Sequence, residues 1–330
     1  MDQETVALFQ QLNYQTAPEL MPNALYLLTD KAFISIKGED TNSFLQGQLS
    51  CDINLITKNK AGYGCQSNAK GRVIASFQVI RFSHEHILLM VEQDLAASAL
   101  TGLKKYSIFS KVELTIEQNF CALGFHGPLA QQALESAFHT FPVATNEQIK
   151  LDNGLLICTD QTSLAYHVIT DSNQALSICK QSPQAILFHD QQHQFLQHHL
   201  GIAYINQSTV ELFVAQMLNY QLIGAISFTK GCYTGQEIIA RMKYLGKLKR
   251  RMYHLIVETR VDLKSADAVS IDAQSNPQGN IVSAIKGNNN QWDVLVVLTD
   301  KAFAQSSLFI GENQLLVKKH CTLPYAFDDE

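Results

Sequence analysis

Over the first two-thirds of the chain, segments with the period of a strand alternate with segments with the period of a helix. Apolar and polar side chains alternate over Lys31–Lys37, which predicts a half-buried strand, whereas Leu95, Leu100 and Leu103 have the spacing of a helix over residues 93–106. By the same criteria we predict strands at residues 73–82, 86–91, 111–117, 120–124, 155–159 and 164–170, and helices from Asp40 or Thr41 towards Leu49 and at residues 128–138 and 173–181. This order of elements predicts an α+β fold with mostly antiparallel sheets covered by helices.

From Arg251 onward the pattern changes to short strands. We predict them at residues 252–257, 268–271, 279–285, 292–298, 308–310 and 314–318, separated by turn-rich stretches such as 287–290. Short strands at close spacing are typical of a small closed or nearly closed barrel. We therefore predict two parts, which are residues 1–245 with two interleaved α+β subdomains and residues 246–330 with a C-terminal β-barrel.

Composition restricts the class of protein. The 330 residues are too many for one small core, and 46% hydrophobic with 17% charged residues fits a folded globular protein. A net charge of −5 excludes a generally basic nucleic-acid coat. Residues 1–10 have no apolar core of signal-peptide length, and no stretch approaches the roughly 18 apolar residues of a membrane span. We therefore expect a cytoplasmic protein without a membrane segment.

Residues 222–251 contain the candidate chemistry. Residues 222–228 are apolar enough for a buried strand and residues 229–231 for a turn. Thr234 and Glu237 have the spacing of a capping box, and apolar residues follow at helical spacing, at Ile238, Ile239, Met242 and Leu245. Cys232 is thus predicted just before a helix N-terminus, two residues after Lys230.

Two interpretations of Cys232 stay open on spacing alone. Unpaired N–H groups at a helix start and a nearby cation favour the reactive thiolate, which predicts a lowered thiol pKa. Alternatively, Cys232 is a small buried residue that packs a corner between strand and helix. The seven cysteines are widely spaced and include no C-x-x-C pair, which disfavours a disulfide framework or a zinc ribbon, and we predict buried packing for the other six.

The run from Lys230 to Glu237 (KGCYTGQE), followed by Ala240 and Arg241, resembles the signature of the YgfZ family. Shorter segments that resemble the family occur in order along the chain, at residues 44–49 (FLQGQL) with Asp52, 68–72 (NAKGR), 103–106 (LKKY) with 109–112 (FSKV), 213–219 (FVAQMLN) and 323–325 (LPY). The candidate motif around Cys232 therefore comprises Lys230, Gly231, Tyr233, Gly235, Gln236, Glu237 and Arg241.

The resemblance implies a three-domain ring like that of the glycine-cleavage T-protein. It implies two mixed α/β, ferredoxin-like parts, a small C-terminal β-barrel and a central channel that holds tetrahydrofolate or a derivative. It also implies that Cys232 is needed for function, and that the protein supports tRNA methylthiolation and the assembly or repair of iron–sulfur enzymes. The family carries no defined reaction, so the resemblance assigns none.

The chain departs from the family pattern at positions implicated in folate contact. Two tryptophans of some family members are replaced here, the first by Lys31 and the second by His193 or Phe195. Ala215 stands in place of the usual proline before Gln216. The resemblance therefore implies folate as a cofactor without assigning the residues that bind it.

Two other functions remain open. A folate-dependent aminomethyl transferase of the T-protein type requires an acidic residue that acts on the folate nitrogen, and the sequence offers no clear match to one. In a non-catalytic folate-binding scaffold, Cys232 would be structural.

Two further features bear on partners. A basic cluster, extended by Lys104, Lys105 and Lys111, could meet the glutamate tail of folate, contact tRNA phosphates or face water, and it comprises Arg241, Lys243, Lys247, Lys249, Arg250 and Arg251. Tyr106, Phe109 and Tyr244 lie among these cations and are interpreted as core residues rather than stacking platforms. His189 and His193 share a helical spacing without an acidic partner, so we interpret them as a polar helix face and predict no metal site.

Overall fold

The structure, a computed structural model, describes residues 15–138, 140–181, 187–188, 190–244, 246 and 248–327. Predictions that concern residues 1–10, His189, Leu245 and Lys247 lie outside the described residues. The strands are β1 (Ala24–Leu27), β2 (Lys31–Lys37), β3 (Gly62–Ser67), β4 (Val73–Ser83), β5 (His86–Glu92), β6 (Glu113–Glu117), β7 (Cys121–His126), β8 (Gln148–Leu151), β9 (Gly154–Asp160), β10 (Ala165–Thr170), β11 (Leu187–Phe188), β12 (Arg251–Glu258), β13 (Ala268–Val269), β14 (Gly279–Lys286), β15 (Gln291–Leu298), β16 (Ser307–Ile310) and β17 (Asn313–Cys321). The α-helices are α1 (Thr41–Gln48), α2 (Ala96–Lys104), α3 (Pro128–Ala137), α4 (Ser172–Gln181), α5 (Gln191–Leu200), α6 (Gln236–Tyr244) and α7 (Asp300–Phe303).

The strands within the described residues form three sheets. Their orders are β3-β4-β5-β2-β6, β11-β1-β7-β10-β9-β8 and β13-β14-β15-β12-β17-β16. Neighbouring strands are antiparallel, as in the pairs of β2 with β5 and of β7 with β10, whereas β1 and β11 are parallel. The predicted α+β fold with mostly antiparallel sheets is therefore confirmed.

The local sequence explains why these elements begin where they do. In α3, Pro128 occupies the first turn, where its missing N–H costs no helix hydrogen bond, and Gly127 before it has a φ of 89°. Ala130 and Leu134, one turn apart, are buried against the sheet core. An apolar stripe thus fixes which face of this helix packs inward.

The C-terminal sheet closes into a near-barrel. Its two edge regions meet where the N–H of Ser270 donates to the carbonyl of Phe309 at 2.9 Å and the N–H of Phe309 donates back at 2.9 Å. The apolar interior comes entirely from the C-terminal part of the chain, from Tyr253 to Phe327, and includes Leu255, Trp292 and Val296. The predicted C-terminal barrel is therefore confirmed as a nearly closed sheet.

The chain divides into two compact units that are interleaved in sequence. The first unit comprises Met1–Gln46, Asp52–Tyr63 and Phe77–His193, and its apolar core includes Leu25, Phe125 and Tyr166. The second unit comprises Gly47–Cys51, Gly64–Ser76 and Gln194–Glu330, and it contains the near-barrel. No helix among the described residues is both long and apolar enough to cross a membrane.

The strand predicted at residues 222–228 is wrong. This segment forms turns, because Asn219 and Gly224 have left-handed backbones with φ of 58° and 71°, and the N–H of Ala225 donates back to the carbonyl of Tyr220 at 2.9 Å. Ala225 and Ile226 are buried, so the apolar pattern predicted burial correctly, but the extended conformation that we inferred from it is wrong.

Candidate functional site

The signature segment presents its thiol to solvent. Cys232 is the exposed cysteine of the seven, whereas Cys51, Cys65, Cys121 and Cys158 are buried and the other two are half-buried. Helix α6 begins at Gln236, four residues after Cys232 and within one residue of the start that the capping box at Thr234 predicts. Burial of Cys232 at a packed corner is therefore wrong, and the ionisation of its thiol stays a prediction.

The buried side chain of Lys230 connects the signature turn to residues 47–51. Its side chain is 8% exposed, and its Nζ donates to the carbonyls of Leu49 at 2.6 Å and Cys51 at 2.8 Å. The same Nζ lies 4.7 Å from the centroid of the buried Tyr233 ring. The ammonium group therefore holds the segment Gly47–Cys51, which is a structural role that the sequence did not indicate.

Gly235 allows a close approach between two turns that resemble the family. Its φ is 86°, and a Cβ there would lie 2.6 Å from the carbonyl oxygen of Asn68. The turn at residues 68–72 closes through the N–H of Asn68, which donates to the carbonyl of Arg72, and its Gly71 has a φ of 70° and faces Ile238 of α6. Both glycines are therefore required by backbone conformation and by space.

Other segments that resemble the family form hydrogen bonds within the same compact unit, the second one. The Gln216 amide Nε2 donates to the carbonyl of Ile239 in α6 at 2.5 Å. The Arg72 guanidinium donates to the carbonyl of Leu212 at 2.7 Å, and Asn219 Nδ2 donates to the Tyr325 hydroxyl at 3.3 Å. Segments from residues 47–51, 68–72, 213–219, 230–237 and 323–325 are thus brought together in the second unit.

A buried serine and a buried thiol lie under the signature turn, and sequence reasoning missed them as a pair. The Ser50 hydroxyl donates to the carbonyl of Ala225 at 2.6 Å and accepts from the N–H of Cys65 at 2.9 Å. Burial raises the pKa of the Cys65 thiol. No motif signals this network, because its residues are 15 and 175 positions apart.

A cavity of about 560 Å³ borders helix α6 within the second unit. Its lining mixes apolar and polar groups, and it includes Leu222, Ile226, Phe228, Met242, Lys243 and Arg251. The Lys243 ammonium lies 3.9 Å from the centroid of the Phe228 ring. The volume and the mixed lining are those of a site for a small organic ligand.

Lys31 and His193, which stand at positions where some family members have tryptophan, are both buried in the first unit. The Lys31 ammonium donates to Glu92 Oε1 at 2.5 Å and to Asp30 Oδ2 at 3.1 Å. The His193 ring lies 5.3 Å from the His167 ring, centroid to centroid. The polar helix face predicted for this region is wrong, because His193, His198 and Phe195 of α5 are all buried.

The predicted cations and aromatic residues are mostly on the surface. Arg241, Lys243 and Lys249 are exposed and Arg250 and Arg251 are half-buried. The interpretation of the three aromatic residues as core is wrong, since the exposed fractions of Tyr106, Phe109 and Tyr244 are 54%, 99% and 63%.

Comparisons with known proteins agree over most of the chain. The family model described as the GCVT N-terminal domain matches residues 28–157. The chain is 28% identical over 309 residues to the "tRNA-modifying protein YgfZ" of Colwellia psychrerythraea, covering 93% of this chain and 94% of that protein. It is 29% identical over 313 residues to the protein of the same name from Yersinia pseudotuberculosis, covering 94% of each.

A solved structure extends the likeness to the fold. The glycine cleavage system aminomethyltransferase T of Bartonella henselae is similar with a TM-score of 0.73 and 13% identity, covering 94% of this chain and 87% of that one. At that identity the likeness concerns the fold alone. Together with the octapeptide around Cys232, these findings show that the chain is similar to YgfZ proteins over most of its length and has the fold of the glycine-cleavage T-protein.

Proposed function

We propose that this protein is a folate-binding accessory protein that supports tRNA methylthiolation and iron–sulfur enzymes through the thiol of Cys232. The observation that carries the proposal is an exposed thiol, Cys232, on a turn that Lys230 holds against residues 47–51 and that packs at Gly235 against residues 68–72. Buried, charge-assisted hydrogen bonds from Lys230 hold that turn against residues 47–51. A fixed, accessible sulfur is suited to a transient covalent or sulfur-transfer role towards a partner enzyme.

The thiol has the position that such a role needs. Cys232 lies between the Lys230 anchor and the first turn of α6, and Gly231 beside it has no atom within 4 Å of a potential Cβ. A partner can therefore approach the sulfur from solvent. The alternatives are less favoured: an aminomethyl transfer lacks an assigned acidic side chain, and a structural Cys232 does not explain its exposure.

The test of this proposal is Cys232→Ala, followed by quantification of methylthiolated adenosine in cellular tRNA. We expect the modification to fall several-fold while the purified variant unfolds at the wild-type urea midpoint. Cys179→Ala, which removes a half-buried thiol of the first unit, is the matched control and should leave the modification unchanged. Unchanged modification in a folded Cys232→Ala variant would falsify the proposal.

We infer that the cavity beside α6 takes the folate. Phe228 can stack on the pterin, and Lys243 and Arg251 can meet the carboxylates of the glutamate tail. Removing one charge-assisted contact costs roughly 1.5–3 kcal/mol, which is a ten- to hundredfold change in affinity.

The folate inference is tested by calorimetric titration with tetrahydrofolate. Lys243→Gln should weaken binding at least tenfold, whereas Lys249→Gln, an exposed lysine outside the cavity lining, should not. Equal affinity in both variants would place the folate elsewhere. Conversion of an aminomethyl donor to methylene-tetrahydrofolate would favour the transferase alternative instead.

A further inference from the structure

Three metal-binding side chains from distant parts of the sequence converge in the second unit. His198 of α5, His254 of β12 and Asp293 of β15 each offer a ligand atom, and these atoms lie within 4.8 Å of one another. His198 Nδ1 is 2.6 Å from Asp293 Oδ1, and His254 Nε2 is 2.8 Å from the same oxygen. Both histidines are buried, and the Asp293 side chain is 17% exposed.

The strand register explains why the three side chains meet. His254 pairs with Leu295, so Asp293, two residues from Leu295, lies on the same face of the sheet. On the other side of β12, His254 pairs directly with Cys321 of β17, and this thiol is half-buried. Three adjacent strands therefore direct an imidazole, a carboxylate and a thiol to one face, and His198 approaches that face from α5.

We propose that His198, His254 and Asp293 form a binding site for a divalent transition metal ion of the zinc class. Two imidazole nitrogens and one carboxylate oxygen are a donor set that zinc prefers, and three protein ligands leave a fourth position for Cys321 or water. Each imidazole ligates through an unprotonated nitrogen, so a neutral ring carries its proton on the other nitrogen and a charged ring releases one proton to solvent when the ion binds.

The present spacing requires a small adjustment. The two nitrogen–oxygen distances are those of hydrogen bonds, whereas ligand atoms around a tetrahedral zinc ion at about 2 Å are separated by roughly 3.3 Å. The two nitrogen–oxygen pairs have to open by about 0.5 to 0.7 Å, and the two histidine nitrogens, which lie within 4.8 Å of each other, have to close towards the same separation. Asp293 borders solvent, so its side chain can move and can admit the ion. Without a metal, the same residues form a hydrogen-bonded network that joins α5 to the barrel.

The experiment uses the full chain with Zn²⁺ and Co²⁺ as probes. Competition against a chromophoric chelator should give one Zn²⁺ per chain, and Co²⁺ should give the intense visible absorption of a tetrahedral site. Thiolate-to-cobalt charge transfer would identify Cys321 as the fourth ligand, and its absence would identify water there.

Variants assign the site. His198→Gln and Asp293→Asn should each weaken Zn²⁺ binding at least tenfold, which is the usual lower bound for losing a ligand or its support. His199→Gln changes the exposed neighbour on the same helix, and Cys232→Ser removes the exposed thiol, so both should bind as the wild type does. The proposal is wrong if the wild type binds no stoichiometric metal, or if Cys232→Ser alone abolishes binding. Circular dichroism establishes that each variant is folded.

Discussion

At the scale of the residue, two glycines of the signature differ in what they require. Gly235 has a left-handed backbone and faces the carbonyl of Asn68, whereas Gly231 has open space where a side chain would start. We predict that Gly235→Ala lowers the free energy of unfolding by about 1–3 kcal/mol, because a non-glycine residue is strained in that conformation and must displace backbone. Gly231→Ala should change it by less than about 0.5 kcal/mol. Urea denaturation of both variants measures the difference, and equal midpoints would contradict the structure.

The buried Lys230 is the second residue whose substitution is expected to change the free energy of unfolding. Lys230→Met retains much of the apolar stem but leaves the carbonyls of Leu49 and Cys51 without the ammonium that they now bind. We expect a loss of about 2–4 kcal/mol in the free energy of unfolding, because buried acceptors without a donor cost roughly 1–3 kcal/mol each. Lys249→Met, at an exposed lysine, is the control. A midpoint equal to that of the control would show that the anchor contributes nothing.

Sequence reasoning identified the residues of the signature better than their surroundings. The octapeptide located Cys232, and the capping-box spacing at Thr234 predicted the start of helix α6, observed at Gln236, to within one residue. The interpretation of Phe109 as core was wrong because aromatic composition favours burial only on average. Ser50 and Cys65 could not be paired from sequence, since their contact depends on the tertiary fold.

At the scale of the element, periodicity predicted most strands and helices. Lys31–Lys37 matches β2, and the predicted helix at residues 128–138 matches α3 to within one residue. The strand prediction for residues 222–228 is wrong because an apolar run indicates burial and not backbone conformation. The turns there depend on Asn219 and Gly224. The polar face predicted for helix α5 is wrong because its buried polar residues, such as Gln192 and His193, have the composition of a surface.

The histidines of β10 and α5 predict a pH dependence of stability. Burial lowers the pKa of His167 to about 3 and that of His193 well below its ordinary value, and the charged or titratable groups that act on them are Lys31, Asp30 and His126. The unfolded chain binds protons near pH 6.5 while the folded protein does not. Stability therefore falls as the pH drops below about 6.5, and for His167 the loss is complete only near pH 3.

The size of this pH-dependent loss of stability follows from the difference in proton binding between the folded and unfolded protein. Each histidine that stays neutral in the fold costs roughly 2 kcal/mol of stability at pH 5 relative to pH 7. His167→Gln, which can still bond to Gln78, should flatten the decline between pH 7 and pH 5 in urea titrations. His199→Gln changes an exposed histidine and should leave the slope unchanged. An unchanged slope for His167→Gln would mean that this histidine is protonated in the folded protein.

At the scale of the whole molecule, the near-barrel has a core that is continuous in sequence. All the buried residues of that core lie between Tyr253 and Phe327. We predict that a fragment of residues 246–330, the predicted C-terminal domain, folds alone and shows a cooperative thermal transition by circular dichroism. A broad, non-cooperative transition would show that the domain boundary near residue 245 is wrong.

The family fold was predictable from motifs, whereas the division of the chain was not. Alternating elements indicated two interleaved α+β subdomains within residues 1–245, but they could not indicate that Gly47–Cys51 and Gly64–Ser76 belong to the unit that contains the C-terminal half. Strand β4 illustrates the difficulty, because one continuous apolar strand begins in one unit and ends in the other. Local periodicity carries no information about which distant segment a strand end will contact.

The anchor of the signature turn has a consequence for synthesis on the ribosome. The Lys230 ammonium bonds carbonyls that precede it by 181 and 179 residues. At about 5–20 residues per second, translation adds that length in roughly ten to forty seconds. During this interval the nascent segment Gly47–Cys51 cannot reach this native donor, so ribosome stalling ahead of codon 230 lengthens the time before the contact can form.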